Sequence, residues 1–283
     1  MESTRTRPLL VVAAALVLIG VLVIVVVGLQ RRLIYFPDRS PAGAAAQAAP
    51  GAEDVTLTTE DGLELGAWLV PPAPAADRGI AVLAAPGNAG NRAGRASLAE
   101  ALSRRGFTTL LIDYRGYGGN PGSPTEEGLA RDARAAADLL ASRGFEPGCT
   151  LYFGESIGTG VIAGLTTTHP PAGALLRSPF PSFASVAKVH YPWLPVDLIL
   201  ADRYPALENL AGSPVPVRIL AGTADDIVPF ALSEQLAAGV GNLEEFVAIE
   251  GAGHNNAFWF GDFAADHTAL LADHVIGQGC GPG

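Results

Sequence analysis

The chain has 283 residues, 49% of them hydrophobic, and carries 18 basic against 28 acidic side chains for a net charge of −10. That length suits one large domain with a substantial core plus extras. With no basic cluster outside the N-terminal region, the acidic balance argues against a nucleic-acid partner. Two cysteines, Cys149 and Cys280, lack metal-ligand spacing and cannot form a disulfide framework. One bridge would be possible outside the cytosol, but the Gly-rich setting of Cys280 makes two free thiols the expectation.

Leu9 through Leu29 contains no charged or strongly polar side chain, and Arg5, Arg7, Arg31 and Arg32 flank it. At ~1.5 Å per residue the run can cross a hydrocarbon core of ~30 Å. It exceeds the ~7–15 residues of a signal-peptide core, and no small-x-small cleavage site follows promptly, so an uncleaved transmembrane anchor is predicted. Arginines at both ends nearly tie the positive-inside rule. A short inside tail (residues 1–8) favours an extracytoplasmic domain. Residues 30–52 form a juxtamembrane linker, with the Pro-, Ala- and Gly-rich stretch 37–51 as its tether.

From about residue 53 the pattern becomes regular. Residues 53–59 and 63–70, joined by Asp61-Gly62, predict an antiparallel hairpin with a two-residue turn. Continuous apolar runs at 79–85, 107–113, 149–154, 172–178, 215–221 and 245–250 predict strands covered on both faces of a parallel sheet. Helical patterns fall at about 93–105, 125–143, 157–167, 230–239 and 257–275. The result is an α/β fold: a mostly parallel eight-stranded sheet with helices on both faces, over residues 53–276. Residues 180–211 are too long for a simple crossover and predict a small helical lid. Its Tyr191, Pro192, Trp193, Leu194 and Pro195 would line an acyl pocket or pack the insertion onto the domain. Residues 277–283 are a flexible tail.

The strand at 149–154 runs into Gly154-Glu155-Ser156-Ile157-Gly158, a G-x-S-x-G turn in the strand-turn-helix setting that makes a serine a nucleophile. Small neighbours let the turn tighten, and the NH of Ile157 would face a developing oxyanion. A serine needs a base, and the base needs an orienting carboxylate. Among the five histidines, His254 lies in the tight loop Gly251-Ala252-Gly253-His254 after the last strand. His267 and His274 fall in the terminal helix, and His169 and His190 precede the acid. Gly222-Thr223-Ala224-Asp225-Asp226 supplies the carboxylate, Asp225 preferred, with Asp226 left to the following loop or helix cap. The second oxyanion donor is the NH of Asn88, or else Ala89, in Pro86-Gly87-Asn88-Ala89-Gly90-Asn91.

With these motifs, Asp113-Tyr114-Arg115-Gly116-Tyr117-Gly118 and Gly122-Ser123-Pro124-Thr125-Glu126, residues 53–276 resemble the α/β-hydrolase superfamily. Within it they are similar to the Bem46-like group, related to serine aminopeptidase-type hydrolases. The resemblance implies a Ser156/Asp225/His254 triad and often an N-terminal anchor. The family usually has histidine where this chain has Pro86, which puts the brace of the oxyanion loop in question. Asp113 to Gly118 is expected to shape the sheet edge.

The expected function is a membrane-anchored serine hydrolase acting on an ester or thioester, such as a lipid-like acyl substrate, with no metal or organic cofactor. A peptidase or amidase would need a carboxylate for a substrate amine, with Asp197, Asp202 or Glu208 as candidates. A catalytically silent, membrane-tethered scaffold is the reading from outside enzymology.

Overall fold

The computed structural model describes residues 3–276, 280 and 281. Eight strands form the central sheet: β1 (Glu53–Thr58), β2 (Glu64–Val70), β3 (Ile80–Ala85), β4 (Phe107–Ile112), β5 (Thr150–Glu155), β6 (Gly173–Arg177), β7 (Val217–Gly222) and β8 (Leu243–Ile249). Their order across the sheet is β8-β7-β6-β5-β3-β4-β2-β1, and β2 is antiparallel to both its neighbours. Alternate residues of the central strands feed two apolar layers. Ala81, Leu83 and Ala85 enter one, Ile80, Val82 and Ala84 the other, as a sheet covered on both sides requires.

Helices α2 (Ala96–Arg104), α3 (Glu126–Ser142), α4 (Ile157–Leu165), α8 (Phe230–Gly239) and α9 (Asp262–Val275) cover the faces. Thr125 starts α3 by accepting the Gly128 NH. The terminal helix is shorter than its pattern implied, because residues 257–260 form a separate turn and Gly261 breaks the run. The β1–β2 reversal also differs: Gly62, at φ 81°, closes a three-residue loop of Glu60, Asp61 and Gly62, with Thr59 and Leu63 as the last bonded pair. The insertion contains α5 (Phe183–His190), α6 (Val196–Ile199) and α7 (Ala206–Ala211). α5 buries Ala184 and Val186, the latter in the core, and α7 packs on α4 and α8.

The N-terminal helix α1 spans Ser3–Ile34, and its stretch Leu10–Ile34 is long and apolar enough to cross a membrane. Its outward Leu and Val side chains are exposed, so it is not a core helix. Pro37 forces its predecessor out of the helical region, and Phe36–Pro37 pairs in parallel with Ala89–Gly90. The stretch expected as a tether is therefore laid along the domain: Ala45 and Ala49 are buried with Trp68, and Gly118 NH bonds Asp38 O at 2.8 Å.

The cysteines overturn the free-thiol expectation. Cys149, just before β5, is bonded to Cys280, with Cα atoms 5.7 Å apart. Val275, at the end of α9, lies against Gly173 at the start of β6, which pairs with Leu151 at the start of β5. The last helix thus delivers Cys280 to Cys149. Most of the tail expected at 277–283 lies outside the described residues.

Candidate active site

After β3 the chain moves to β4 on one side; after β5 it moves to β6 on the other. The carboxyl ends of β3 and β5 therefore flank a crevice that no crossover fills, the natural ligand position of an open α/β sheet. Ser156 stands there, between β5 and α4, with φ 51° and ψ −117°, a backbone that side-chain-bearing residues rarely adopt. Close packing enforces it. A Cβ on Gly158 would come within 2.3 Å of Ala85 O, and one on Gly154 within 2.9 Å of Thr159 Cα. Ser156 NH is held by Arg177 O at 2.9 Å. Ile157 opens α4, so its NH is one of the donors a helix N-terminus leaves without an intrahelical acceptor.

The acid and imidazole come together. His254 Nδ1 lies 2.7 Å from Asp225 Oδ2, and Asp225 Oδ1 accepts the NH groups of Ile227 (3.0 Å) and Val228 (2.8 Å). Burial raises the Asp225 pKa, but the bond and charge of His254 and the Val228 NH outweigh it and hold the carboxyl below its ordinary range. Asp225 is thus a fixed anion that turns Nδ1 of His254 towards itself. The two loops touch: a Cβ on Gly222 would meet Ala252 O at 2.2 Å. Asp226 is exposed, and α8 starts behind Pro229 without a side-chain cap, so Asp226 is not the expected cap. His169 pairs with Thr168 and Asp138, His190 donates to Ile227 O, His267 meets Arg218, and His274 bonds Glu244.

A buried charge network beneath these loops escaped sequence reasoning. Arg177, fully buried at the end of β6, donates to His254 O at 2.7 Å, and its Nη2 lies 2.9 Å from Glu155 Oε1 without hydrogen-bond alignment. Glu155, beside Ser156, also accepts from Arg95 Nη2 at 2.7 Å and Nε at 3.2 Å. Burial raises the Glu155 pKa, but the charges of Arg177 and Arg95 outweigh it and keep it below the usual value. Phe260 covers both guanidinium groups. The available signal was a charged residue ending each of two neighbouring apolar strands, which burial obliges to pair.

The loop after β3 lies against the serine: a Cβ on Gly87 would meet Ser156 Cβ at 3.6 Å. Among the described residues, Asn88 NH has no acceptor. The Asn88 amide nitrogen and main-chain carbonyl, by contrast, are tied down. Its Nδ2 donates to Ile34 O at 2.7 Å, and its carbonyl accepts Phe36 NH at 2.8 Å and Tyr117 OH at 2.9 Å. Tyr114 OH donates to Pro86 O at 3.1 Å. The Asp113–Gly118 segment therefore props the loop behind Pro86, while Asp113 itself takes Arg92 NH and Nη1. Ala89, the alternative donor, pairs with Phe36.

In the lid, Phe183 packs edge-on against Phe180 and Tyr204, whereas Tyr191 and Trp193 face outward. The carboxylates considered for a substrate amine are engaged or exposed elsewhere. Asp197 pairs with Lys188, Asp202 with Arg31 and Tyr35, and Glu208 is exposed on α7. Among the described residues no group of three or more His, Cys, Asp or Glu side chains could hold a metal ion.

The protein Rv2307c of Mycobacterium tuberculosis is 46% identical over 257 residues, covering 90% of this chain and 91% of its own. A model of the alpha/beta hydrolase fold matches residues 80–209. The chain belongs to the α/β-hydrolase family. A further relative, the lysophosphatidylserine lipase ABHD12 of Danio rerio, is 34% identical over 170 residues, 53% of this chain and 44% of that one. Among solved structures, the Pyrococcus furiosus esterase Pf2001 shares the fold with a TM-score of 0.67 at 18% identity, over 86% of this chain and 98% of its own.

Proposed function

We propose that this α/β-hydrolase is a membrane-anchored serine hydrolase that cleaves carboxylic esters or thioesters through an acyl-enzyme on Ser156. The observation that carries the reading is the buried Asp225–His254 pair, 2.7 Å apart, in loops at the same sheet edge as the positive-φ serine. His254 Nε2 takes the Ser156 proton as Oγ attacks the acyl carbon. The tetrahedral oxygen is held by the NH groups of Ile157 and Asn88, each such donor being worth about 3–4 kcal/mol. His254 then protonates the departing alcohol or thiol. In the second half it takes a proton from water, the resulting hydroxide attacks the acyl carbon, and His254 returns the proton to Ser156 as the carboxylic acid leaves.

A lipid-like acyl substrate is supported by the similarity to a lysophosphatidylserine lipase and by α1, whose exposed apolar surface suits a bilayer. The Cys149–Cys280 bond supports an extracytoplasmic domain, because such bonds persist in oxidising compartments. Ester is favoured over amide because the carboxylates that could receive a substrate amine are engaged or exposed elsewhere. A fluorophosphonate probe tests the nucleophile: the folded wild type should label and Ser156→Ala should not. No labelling of wild type, or labelling that survives in Ser156→Ala, overturns the proposal. A panel of acyl esters beside aminoacyl amides tests the substrate class, and faster turnover of the amides would reverse that assignment.

A further inference from the structure

The lid carries an apolar surface that the site does not use. Trp193 is 76% exposed and Leu198 85%, with Val189 and Tyr191 about half-exposed. A groove of about 590 Å³ runs past Pro192, Leu194, Pro195 and Leu198, with the Lys188–Asp197 ion pair at its edge. Single apolar side chains are ordinary on a protein surface, but here four of the exposed large ones fall within residues 189–198 of one short insertion, a concentration that marks a contact.

What the group contacts follows from where α1 meets it. Gln30 Nε2 donates to Ile199 O at 3.3 Å, Gln30 Oε1 accepts Ala201 NH at 2.9 Å, and Arg31 Nε lies 3.3 Å from Asp202 Oδ2. Gln30 directly follows the apolar run that ends at Leu29, and Arg31 and Arg32 come next. Arginines at that place mark where a spanning helix leaves hydrocarbon for headgroups. The lid is bonded to α1 at that level. Leu198 lies on α6, next to the bonded Ile199, and Trp193 on the turn between α5 and α6. Tryptophan suits this depth, being apolar over its ring and polar at its NH.

We propose that the lid face bearing Trp193 and Leu198 lies in the headgroup region of the bilayer that α1 crosses. The inference rests on reading α1 as a membrane anchor. It deepens the proposed function, because the lid also reaches the acid loop: His190, at the end of α5, donates to Ile227 O at 2.9 Å, two residues from Asp225. An element in contact with lipid then adjoins the acid loop, and the substrate class this suits is an ester dissolved in the membrane rather than in water.

The test uses full-length protein in phosphatidylcholine vesicles. Trp68 and Trp259 are buried, so the exposed indole is Trp193, and subtracting the Trp193→Phe spectrum isolates its emission. Lipids brominated along the acyl chain should quench that emission, and aqueous acrylamide should not. If the protein floats with the vesicles while acrylamide quenches Trp193 and the brominated lipids do not, the lid faces water, open to a protein partner, and the proposal is overturned with the anchor intact. If the protein does not float with the vesicles, the anchor reading fails and the proposal with it. Leu198→Asp should lower hydrolysis of a vesicle-borne long-chain ester at least about five-fold while leaving a water-soluble short-chain ester within about two-fold. Equal loss on both esters overturns the proposal. Wild type inactive on both would defeat the hydrolase reading instead, and the quenching would still decide where the lid lies.

Discussion

The two sides of Ser156 are held in opposite ways. On the acid–base side, every bond comes from within the hydrolase core: Asp225 is fixed by the Ile227 and Val228 amides, His254 by Asp225, and the His254 carbonyl by Arg177. On the oxyanion side, Asn88 is fixed from outside the sheet, by Ile34 at the end of α1 and Phe36 just beyond it, with Tyr117 adding a bond. One side is built by the fold and the other is completed by α1 and the residues that follow it. Damage to the first should therefore be severe and local, and damage to the second milder and transmitted from α1.

The largest effects belong to the core side. Ser156→Ala or His254→Ala should lower turnover of an acyl ester by at least about 10⁴-fold, and the double variant should lose no more than either single one, since the groups act as a unit. Comparable activity in any of the three would break the comparison at its root. Asp225→Asn should cost about 10³–10⁴-fold, because the amide leaves the wrong imidazole tautomer favoured. The exposed Asp226→Asn should change turnover by less than about two-fold, as surface substitutions generally do. Asp225 also carries a pH signature. A carboxyl whose folded pKa is depressed contributes stability that is complete above its unfolded value of about 4 and is lost as pH falls through the lower folded value. The gap in Tm between wild type and Asp225→Asn should be present at about pH 5 and narrow progressively as pH falls below about 4.

Next in size is the network below. Arg177→Met removes a buried guanidinium and leaves Glu155 to Arg95 alone, so stability should fall by about 3–5 kcal/mol in chemical denaturation. Adding Glu155→Gln takes the carboxylate from the buried Arg95 guanidinium and should deepen that loss. If the double variant is no less stable than the single, the Arg95–Glu155 pair contributes nothing and Arg177 acts through His254 O alone.

The same contrast decides what could be read from the chain. The sheet, the serine elbow and the loops carrying Asp225 and His254 announce themselves locally: apolar runs mark the strands, and small residues mark the turns at their ends. The paired Asp225 and His254 are legible because each lies in the short loop that follows a strand, β7 and β8 in turn. The strap is not. Phe36–Pro37 meets Ala89–Gly90 across some fifty residues with no sequence signature, and Pro, Ala and Gly in 37–51 read equally well as a free tether. Cys149 and Cys280 meet across 131 residues because α9 ends beside the start of β5, a fact of packing that no spacing rule encodes. Pro86 was legible as a departure but not as a compensated one. Tyr114, Tyr117, Ile34 and Phe36 take over the support of the loop, and only their folded positions reveal it.

The smallest effects, on the anchor side, are the sharpest test of the comparison. Asn88→Ala keeps the main-chain NH but removes the bond from Nδ2 to Ile34 O, so kcat on a water-soluble ester should fall by about ten-fold with KM little changed, as expected when an oxyanion donor is loosened rather than deleted. Tyr35→Phe acts one step further away. The Tyr35 hydroxyl lies 2.7 Å from Tyr204 OH and donates to Asp202 Oδ2 at 3.1 Å, and burial pushes its pKa far up, so it stays protonated as a donor. Removing it strands a Tyr204 hydroxyl and part of Asp202 under the lid, a stability cost of about 1 kcal/mol. The effect on kcat should be about two- to three-fold and should not add to that of Asn88→Ala, because both changes slacken the same attachment of α1 to the loop. Strict additivity of the two would mean that residues 34–37 and the Asn88 loop are independent, and that α1 does not shape the site.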